Sequence, residues 1–280
     1  MSRASRLPLP TSTRGQSALD VARTAAREAG RIALDAFRRP QRVETKGRGN
    51  LVSETDLAIE SYLHETFARE FPGHKLLSEE TAANTALGGW VWVIDPLDGT
   101  RNFVSGIPFF CVNIALCHDG EPAVAVTYDP NHDEAFSAER GRGAWLNDAP
   151  MRASAAATVL DSVLGFDLGY DDERGRGVLQ LIHELFPGAQ SVRIPGSAAL
   201  GLAYAACGRY DLFVHHWLFP WDIAAGILLV QEAGGVITNH LGAPIGIGSP
   251  SVIAGAPRAH ADFLRWQQEH RAQLDLLSAS

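Results

Sequence analysis

Residues 90–103 read Trp-Val-Trp-Val-Ile-Asp-Pro-Leu-Asp-Gly-Thr-Arg-Asn-Phe. The apolar, β-prone run Trp90 to Ile94 passes straight into Asp95 and Asp98. Pro96, Gly99 and Thr100 then force a turn between this strand and a following helix. Two acids at the end of a buried strand repel each other and are costly to desolvate unless cations sit between them. Taken alone, the stretch also fits a solvated loop whose aspartates cap a helix.

Two further segments carry the same signal. Ser78-Glu79-Glu80-Thr81 follows the apolar pair Leu76-Leu77 and places two acids at another strand end. Asp222 opens a later helix within Pro220-Trp-Asp-Ile-Ala-Ala-Gly226. Oxygen ligands with no His or Cys at ligand spacing suit a hard cation such as Mg²⁺ rather than zinc. Carboxylates drawn from several segments suit a cluster of two or three metals, about 3.5–4 Å apart.

Around these acids the spacing predicts helices over about 17–37 and 53–71, the second opened by a Ser53/Asp56 capping box. Short strands follow at 90–94, 110–117 and 123–128, with a hairpin turn at Asp119-Gly120, and another hairpin flanks Gly141-Arg-Gly143. From about residue 153, strands at 159–165, 191–194, 210–214, 236–238 and 251–254 alternate with helices at 178–186, 197–207 and 221–233, and a last helix closes the chain. The first half, 16–150, thus reads as an α+β lobe and the second, 151–280, as an α/β lobe. Residues 1–15 read as a frayed tail.

Composition narrows the function. The 280 residues are 46% apolar and 20% charged, as in ordinary globular proteins rather than disordered ones. Lys plus Arg number 24 against 32 Asp plus Glu, a formal charge of −8. Such a chain, with no basic block, is a poor nucleic-acid or anionic-membrane binder. It handles anions only if bound cations supply the positive charge. Cys111, Cys117 and Cys207 lie in apolar stretches without zinc or disulfide spacing and read as buried free thiols. No apolar run approaches a membrane span and no signal-peptide core precedes the first helix, so a cytoplasmic protein is expected.

Asp95-Pro-Leu-Asp-Gly-Thr100 with Asn102-Phe103, the Glu79-Glu80 pair, and Trp221-Asp222 with Ala224-Ala-Gly226 resemble the signature motifs of the inositol monophosphatase family. The resemblance extends from the first helix through Glu232-Ala-Gly-Gly235 to about Phe263. It implies a layered αβαβα sandwich of the inositol monophosphatase and fructose-1,6-bisphosphatase type, and a Mg²⁺-dependent, lithium-sensitive phosphatase, commonly homodimeric. Glu79, Asp95 and the Leu97 carbonyl would hold one metal; Asp95, Asp98 and Asp222 a second; and Glu79 would also face a third. Thr100 paired with Asp56 would polarise the attacking water. Gly99 and Thr100 would offer N–H groups to the phosphate, and Lys46, with Glu80 less directly, would lie near the metal-bound water.

Substrate choice is less determined. The Gly196-Ser-Ala-Ala199 turn matches the family segment that holds the alcohol, with the Ala198 amide as contact. His215 stands where polyol-binding relatives usually carry Glu, and a neutral imidazole offers a single acceptor nitrogen. It fits either a substrate contact or a strand-end histidine. Arg193 would face a second phosphate or pair with an acid. Inositol 1-phosphate, fructose 1,6-bisphosphate, histidinol phosphate and 3′-phosphoadenosine phosphates all stay open, as does a non-catalytic interaction protein on the same fold. Residues 167–176 read as a polar specificity loop. Direct in-line attack by water is expected, since no Gly-x-Ser-x-Gly elbow supplies a serine nucleophile.

Overall fold

The computed structural model describes residues 8–47, 50–81 and 87–270. Helix α1 (Ala18–Ala36) leads through the small hairpin β1 (Val43–Thr45) and β2 (Leu51–Ser53) to α2 (Glu54–Glu70) and β3 (Lys75–Ser78). Next come β4 (Trp90–Asp98), the short α3 (Thr100–Val104), β5 (Cys111–His118), β6 (Glu121–Asp129), β7 (Glu134–Glu139), β8 (Gly143–Leu146) and β9 (Ala149–Pro150). The second half alternates through β10 (Val163–Asp167), α4 (Asp172–Leu185), β11 (Ser191–Arg193), α5 (Ala198–Ala206) and β12 (Leu212–His215). It finishes with α6 (Pro220–Glu232), β13 (Val236–Thr238), β14 (Val252–Gly255) and α7 (Pro257–Glu269).

Strands β3 to β9 form a seven-stranded sheet in chain order, antiparallel except for the parallel pair β3–β4. The second sheet has five strands in the order β11-β10-β12-β14-β13, parallel across its first three. Both faces of each sheet are covered, which is why β4 reads as a continuous apolar run rather than an alternating one. Trp92 and Ile94 join the core beneath α1 and α2, while Val91 and Val93 join the core shared with α5 and α6. In the second sheet Phe213 faces α5 and α6, and Leu212 and Val214 face the core of α4 and α7. The layers therefore run α1/α2, sheet, α5/α6, sheet, α4/α7, the αβαβα sandwich expected. Helices α5 and α6, apolar on nearly every face, owe that composition to their central layer.

Pro150 ends the first sheet and the chain reaches the second at Val163, yet one apolar core spans both halves. Of the expected tail, residues 1–7 lie outside the described residues. The part from Thr11 on is tied down: Thr11 bridges Ser17, and the Thr13 N–H donates to the Glu70 carbonyl at 2.8 Å. Two expected elements shift. Strand β10 starts at Val163 rather than 159, because Thr158 and Asp161 bond each other at 2.6 Å and Ser162 donates to the Thr158 carbonyl, closing a turn. Helix α4 starts at Asp172 rather than 178, capped by Asp171, whose carboxylate accepts the Arg174 N–H at 2.8 Å. Half of the expected loop 167–176 is thus helix.

Candidate active site

Asp95 and Asp98 are separated by an odd number of positions, so a regular strand would aim them at opposite faces. The register with β5 breaks between them, and the irregularity re-aims the second acid. One carboxylate oxygen from each of Asp95, Asp98 and Asp222 lies within 4.8 Å of the others. Asp222 arrives from the first turn of α6, where it accepts the Phe219 N–H at 2.7 Å. Gly99 follows at φ 90°, and a Cβ there would sit 3.0 Å from the Phe109 carbonyl oxygen. This turn between strand and helix therefore requires glycine.

These acids line a cleft of about 490 Å³ together with Lys46, Glu79, Leu97, Gly99, Thr100, Ala198 and His215. Asp56 stands behind it as both capping-box acid and partner of Thr100. Its Oδ2 accepts the Ser53 N–H at 2.9 Å, and its Oδ1 accepts from the Thr100 hydroxyl at 2.8 Å. Thr100 Oγ1 is also 2.9 Å from the Leu97 carbonyl oxygen. Lys46 Nζ donates to Glu79 at 3.0 Å and to Glu80 at 2.5 Å. Glu80 thus orients the lysine from behind.

The carboxylates crowd a site largely shielded from solvent. Burial, then the charges of Glu79, Asp98 and Asp222, hold the Asp95 carboxyl well above the usual carboxylate range. Burial and the Asp98 charge do the same to Asp222. Burial also raises Asp98, although Ser197 and the Ala199 N–H bond to it. It raises Glu79 despite Lys46, and it raises Asp56 despite Ser53 and Thr100. For Lys46, burial opposes the charge but Glu79 and Glu80 outweigh it, and its pKa rises. An all-oxygen set of mutually repelling buried carboxylates fits a hard divalent cation, and Glu79, Asp95, Asp98 and Asp222 are the side chains that would hold it.

Two expected substrate contacts are placed differently. The Ala198 N–H, expected to meet the alcohol, donates to Asp98 Oδ1 at 3.2 Å, while the Ala199 N–H donates to Asp98 Oδ2 at 2.9 Å. The first amides of α5 need acceptors, and Asp98 supplies them. Arg193 does not line the cleft; its exposed guanidinium turns back to Ser191 Oγ and to the Val192 carbonyl at 2.9 Å. Helix α3 has only five residues, so its dipole adds little to the amides of Gly99 and Thr100.

His215 does line the cleft, at the end of β12. Its Nδ1 accepts the Trp217 N–H at 3.0 Å, and burial pushes its pKa down to about 3. It is therefore a neutral imidazole with its only acceptor nitrogen filled.

Residues to which the sequence assigned no individual role also shape the site. Ser197 donates to Asp98, and Asn102 Nδ2 spans the Phe109 and Pro195 carbonyls at 2.8 and 2.9 Å, tying α3 to the turn before α5. Asn113 donates to the Trp221 carbonyl at 2.7 Å and fixes α6 against the first sheet. Asp167 is half-buried at the end of β10, where it accepts the Leu168 N–H at 2.8 Å and the N–H groups of Gly169, Gly196 and Ser197 face it. Tyr170, Trp217, Phe219 and Trp221 line the same cleft. Of these, Tyr170 falls in the expected loop 167–176 and Trp221 in the Trp221-Asp222 motif.

The inositol monophosphatase family profile matches residues 15–272. Inositol monophosphatase 3 of Solanum lycopersicum is 38% identical over 250 residues, spanning 84% of this chain and 91% of that protein. Nus factor SuhB of Escherichia coli K12 is also 38% identical, over 86% of this chain and 91% of its own length. Among solved structures, the IMPase of Thermotoga maritima superposes with a TM-score of 0.83 at 32% identity, covering 91% of this chain and 98% of that one. Such relatives extend over nearly all of the chain that carries the layered sandwich and its acidic cleft: the chain belongs to the inositol monophosphatase family.

Proposed function

We propose that the chain is a Mg²⁺-dependent phosphomonoester hydrolase in which water attacks the phosphate in line. The observation that carries this reading is the convergence of Asp95, Asp98 and Asp222 within 4.8 Å beside Glu79 in one cleft. Mg²⁺ ions, two or three per site, would neutralise the phosphoryl oxygens, acidify water and stabilise the leaving alkoxide.

The chain's own residues supply the rest. Thr100 passes its hydroxyl proton to Asp56 Oδ1 as it takes one from the attacking water at Oγ1, and the raised pKa of Asp56 suits it to accept that proton. Lys46 holds Glu79 in place. Gly99, whose φ of 90° and missing Cβ let the turn pack against Phe109 and Phe110, would offer its N–H to the phosphate. As water forms the new P–O bond, the ester P–O bond breaks and the departing alkoxide takes up a proton from a second water molecule, leaving alcohol and inorganic phosphate.

The substrate is proposed as a small phosphomonoester of the inositol 1-phosphate type. Fructose 1,6-bisphosphate loses support with Arg193 turned away from the cleft. Lithium inhibition and a homodimer belong to the same reading. The existence of Nus-factor relatives favours a second one, an interaction protein on this fold. The full complement of cleft acids supports the enzyme instead.

Asp95→Asn tests the reading directly. Phosphate release should fall by about 10²-fold or more, with the circular dichroism spectrum unchanged. An unaltered rate would remove Asp95 from the chemistry.

A further inference from the structure

The cleft is acidic on one side and aromatic on the other. Tyr170, from the short loop before α4, and Trp217, Phe219 and Trp221, from the segment joining β12 to α6, all line it. Phe219 and Trp221 stack with centroids 5.1 Å apart and planes at 12°, and Trp217 stands edge-on to Phe219 at 6.2 Å. The Arg174 guanidinium lies 4.7 Å over the Trp217 ring, and Arg174 also donates to the His216 carbonyl at 3.0 Å. These contacts fix Trp217, Phe219 and Trp221 without covering them: Phe219 stays 37% exposed, and Tyr170 nearby is 44% exposed.

The wall is built in register with the acids. The Phe219 N–H bonds the Asp222 carboxylate, and Trp221 is the residue before it. Gly169, at φ +64°, lets the Tyr170 loop rest on the opposite segment, since a Cβ there would lie 2.6 Å from Trp217 Cβ. A phosphate held at Asp95, Asp98 and Asp222 would therefore carry its alcohol against these rings.

Uncommitted carboxylates for a ring of hydroxyl groups are few on that side. His215 Nδ1 is filled by the Trp217 N–H, so its remaining nitrogen is a donor. Asp167 accepts the Leu168 N–H at 2.8 Å, and the N–H groups of Gly169, Gly196 and Ser197 also face it. Asp172, at the mouth, is the other acid there, and it has partners of its own. Aromatic faces also accept the C–H faces of polyols, so the wall alone would not choose. Rings combined with few hydroxyl acceptors do.

Resting on the phosphatase reading above, we propose that the alcohol of the favoured phosphomonoester carries a flat aromatic or heteroaromatic ring, which packs on Phe219 and Tyr170. Stacking of a base on an aromatic side chain is strong enough to decide selectivity among small phosphate esters by about tenfold.

The test compares kcat/KM for adenosine 2′-monophosphate, inositol 1-phosphate and β-glycerophosphate, with Mg²⁺, in the wild type, Phe219→Ala and Tyr170→Ala. The proposal expects the adenosine ester to exceed inositol 1-phosphate by tenfold or more. Each variant should lower the ratio of the adenosine ester to β-glycerophosphate by about tenfold. Preference for inositol 1-phosphate, or an unchanged ratio in both variants, overturns it.

Calorimetry with adenosine alone separates the two levels of the account. Should none of the three esters be hydrolysed, the phosphatase reading fails. Adenosine binding that Phe219→Ala weakens would then still support the ring site, and absence of binding would overturn that as well.

Discussion

His216 illustrates how a single buried group sets a pH limit. Its Nε2 is buried with no hydrogen-bond partner among the described residues, and burial pushes its pKa down to about 3. In the unfolded chain a histidine titrates near 6.5, so between about 6.5 and 3 the unfolded state binds the extra proton. Stability is then full above pH 6.5 and is lost as pH falls, by up to about 1.4 kcal/mol per unit from this residue. His216→Phe removes both the unpaired nitrogen and the titration. Urea unfolding should show the variant at least as stable as wild type at pH 7.5 and increasingly more stable toward pH 4. An equal acid loss in both proteins would show that His216 is not the group responsible. The residue scale is also where the sequence was least legible. That Asp95, Asp98 and Asp222 meet follows from residue type and strand ends, since buried acids need a common reason to be buried. That the Ala198 amide turns to Asp98, that Arg193 folds back on its own strand, and that His215 spends its acceptor on Trp217 depend on orientations fixed by neighbours distant in sequence.

At the scale of elements, small residues set how closely the central helices approach the second sheet. A Cβ on Gly201 of α5 would lie 2.3 Å from the Phe213 ring, and one on Gly165 of β10 would lie 2.9 Å from the same ring. Phe213 is fully buried between them and has nowhere to move. Alanine gains about 1 kcal/mol of helix propensity over glycine, yet overpacking a rigid core costs about 1–3 kcal/mol. Gly201→Ala should therefore destabilise by up to about 2 kcal/mol, measured as a lower urea midpoint with an unchanged slope. A raised midpoint would mean that the layer yields. Most elements could be read ahead of the structure because their periods and caps are local: the Ser53/Asp56 box forms as the spacing implies. The starts of β10 and α4 could not. Thr158 and Asp161 close a turn inside a β-prone run, and Asp171 caps a helix whose first turns hold Gly175 and Gly177.

For the whole molecule, the layered fold brings to one cleft the ends of β3 and β4 from the first half and the start of α6 from the second. An acidic chain thereby gains a place where cations, rather than lysines, would attract phosphate. The apolar pattern and the alternation of strands and helices make the sandwich readable. The substrate is not readable in the same way, because it depends on rings and amides supplied by loops. No helix among the described residues is long and apolar enough to cross a membrane. The central claim, that this cleft hydrolyses phosphate monoesters only when a divalent cation fills its carboxylates, is tested most directly by phosphate release. The protein would be stripped with chelator and assayed on inositol 1-phosphate, adenosine 2′-monophosphate and β-glycerophosphate while Mg²⁺ is titrated back. The account predicts no release without metal and saturable release of at least one ester with it. Equal release in chelator and in Mg²⁺, or none from folded, Mg²⁺-loaded protein on any of the three, would contradict it.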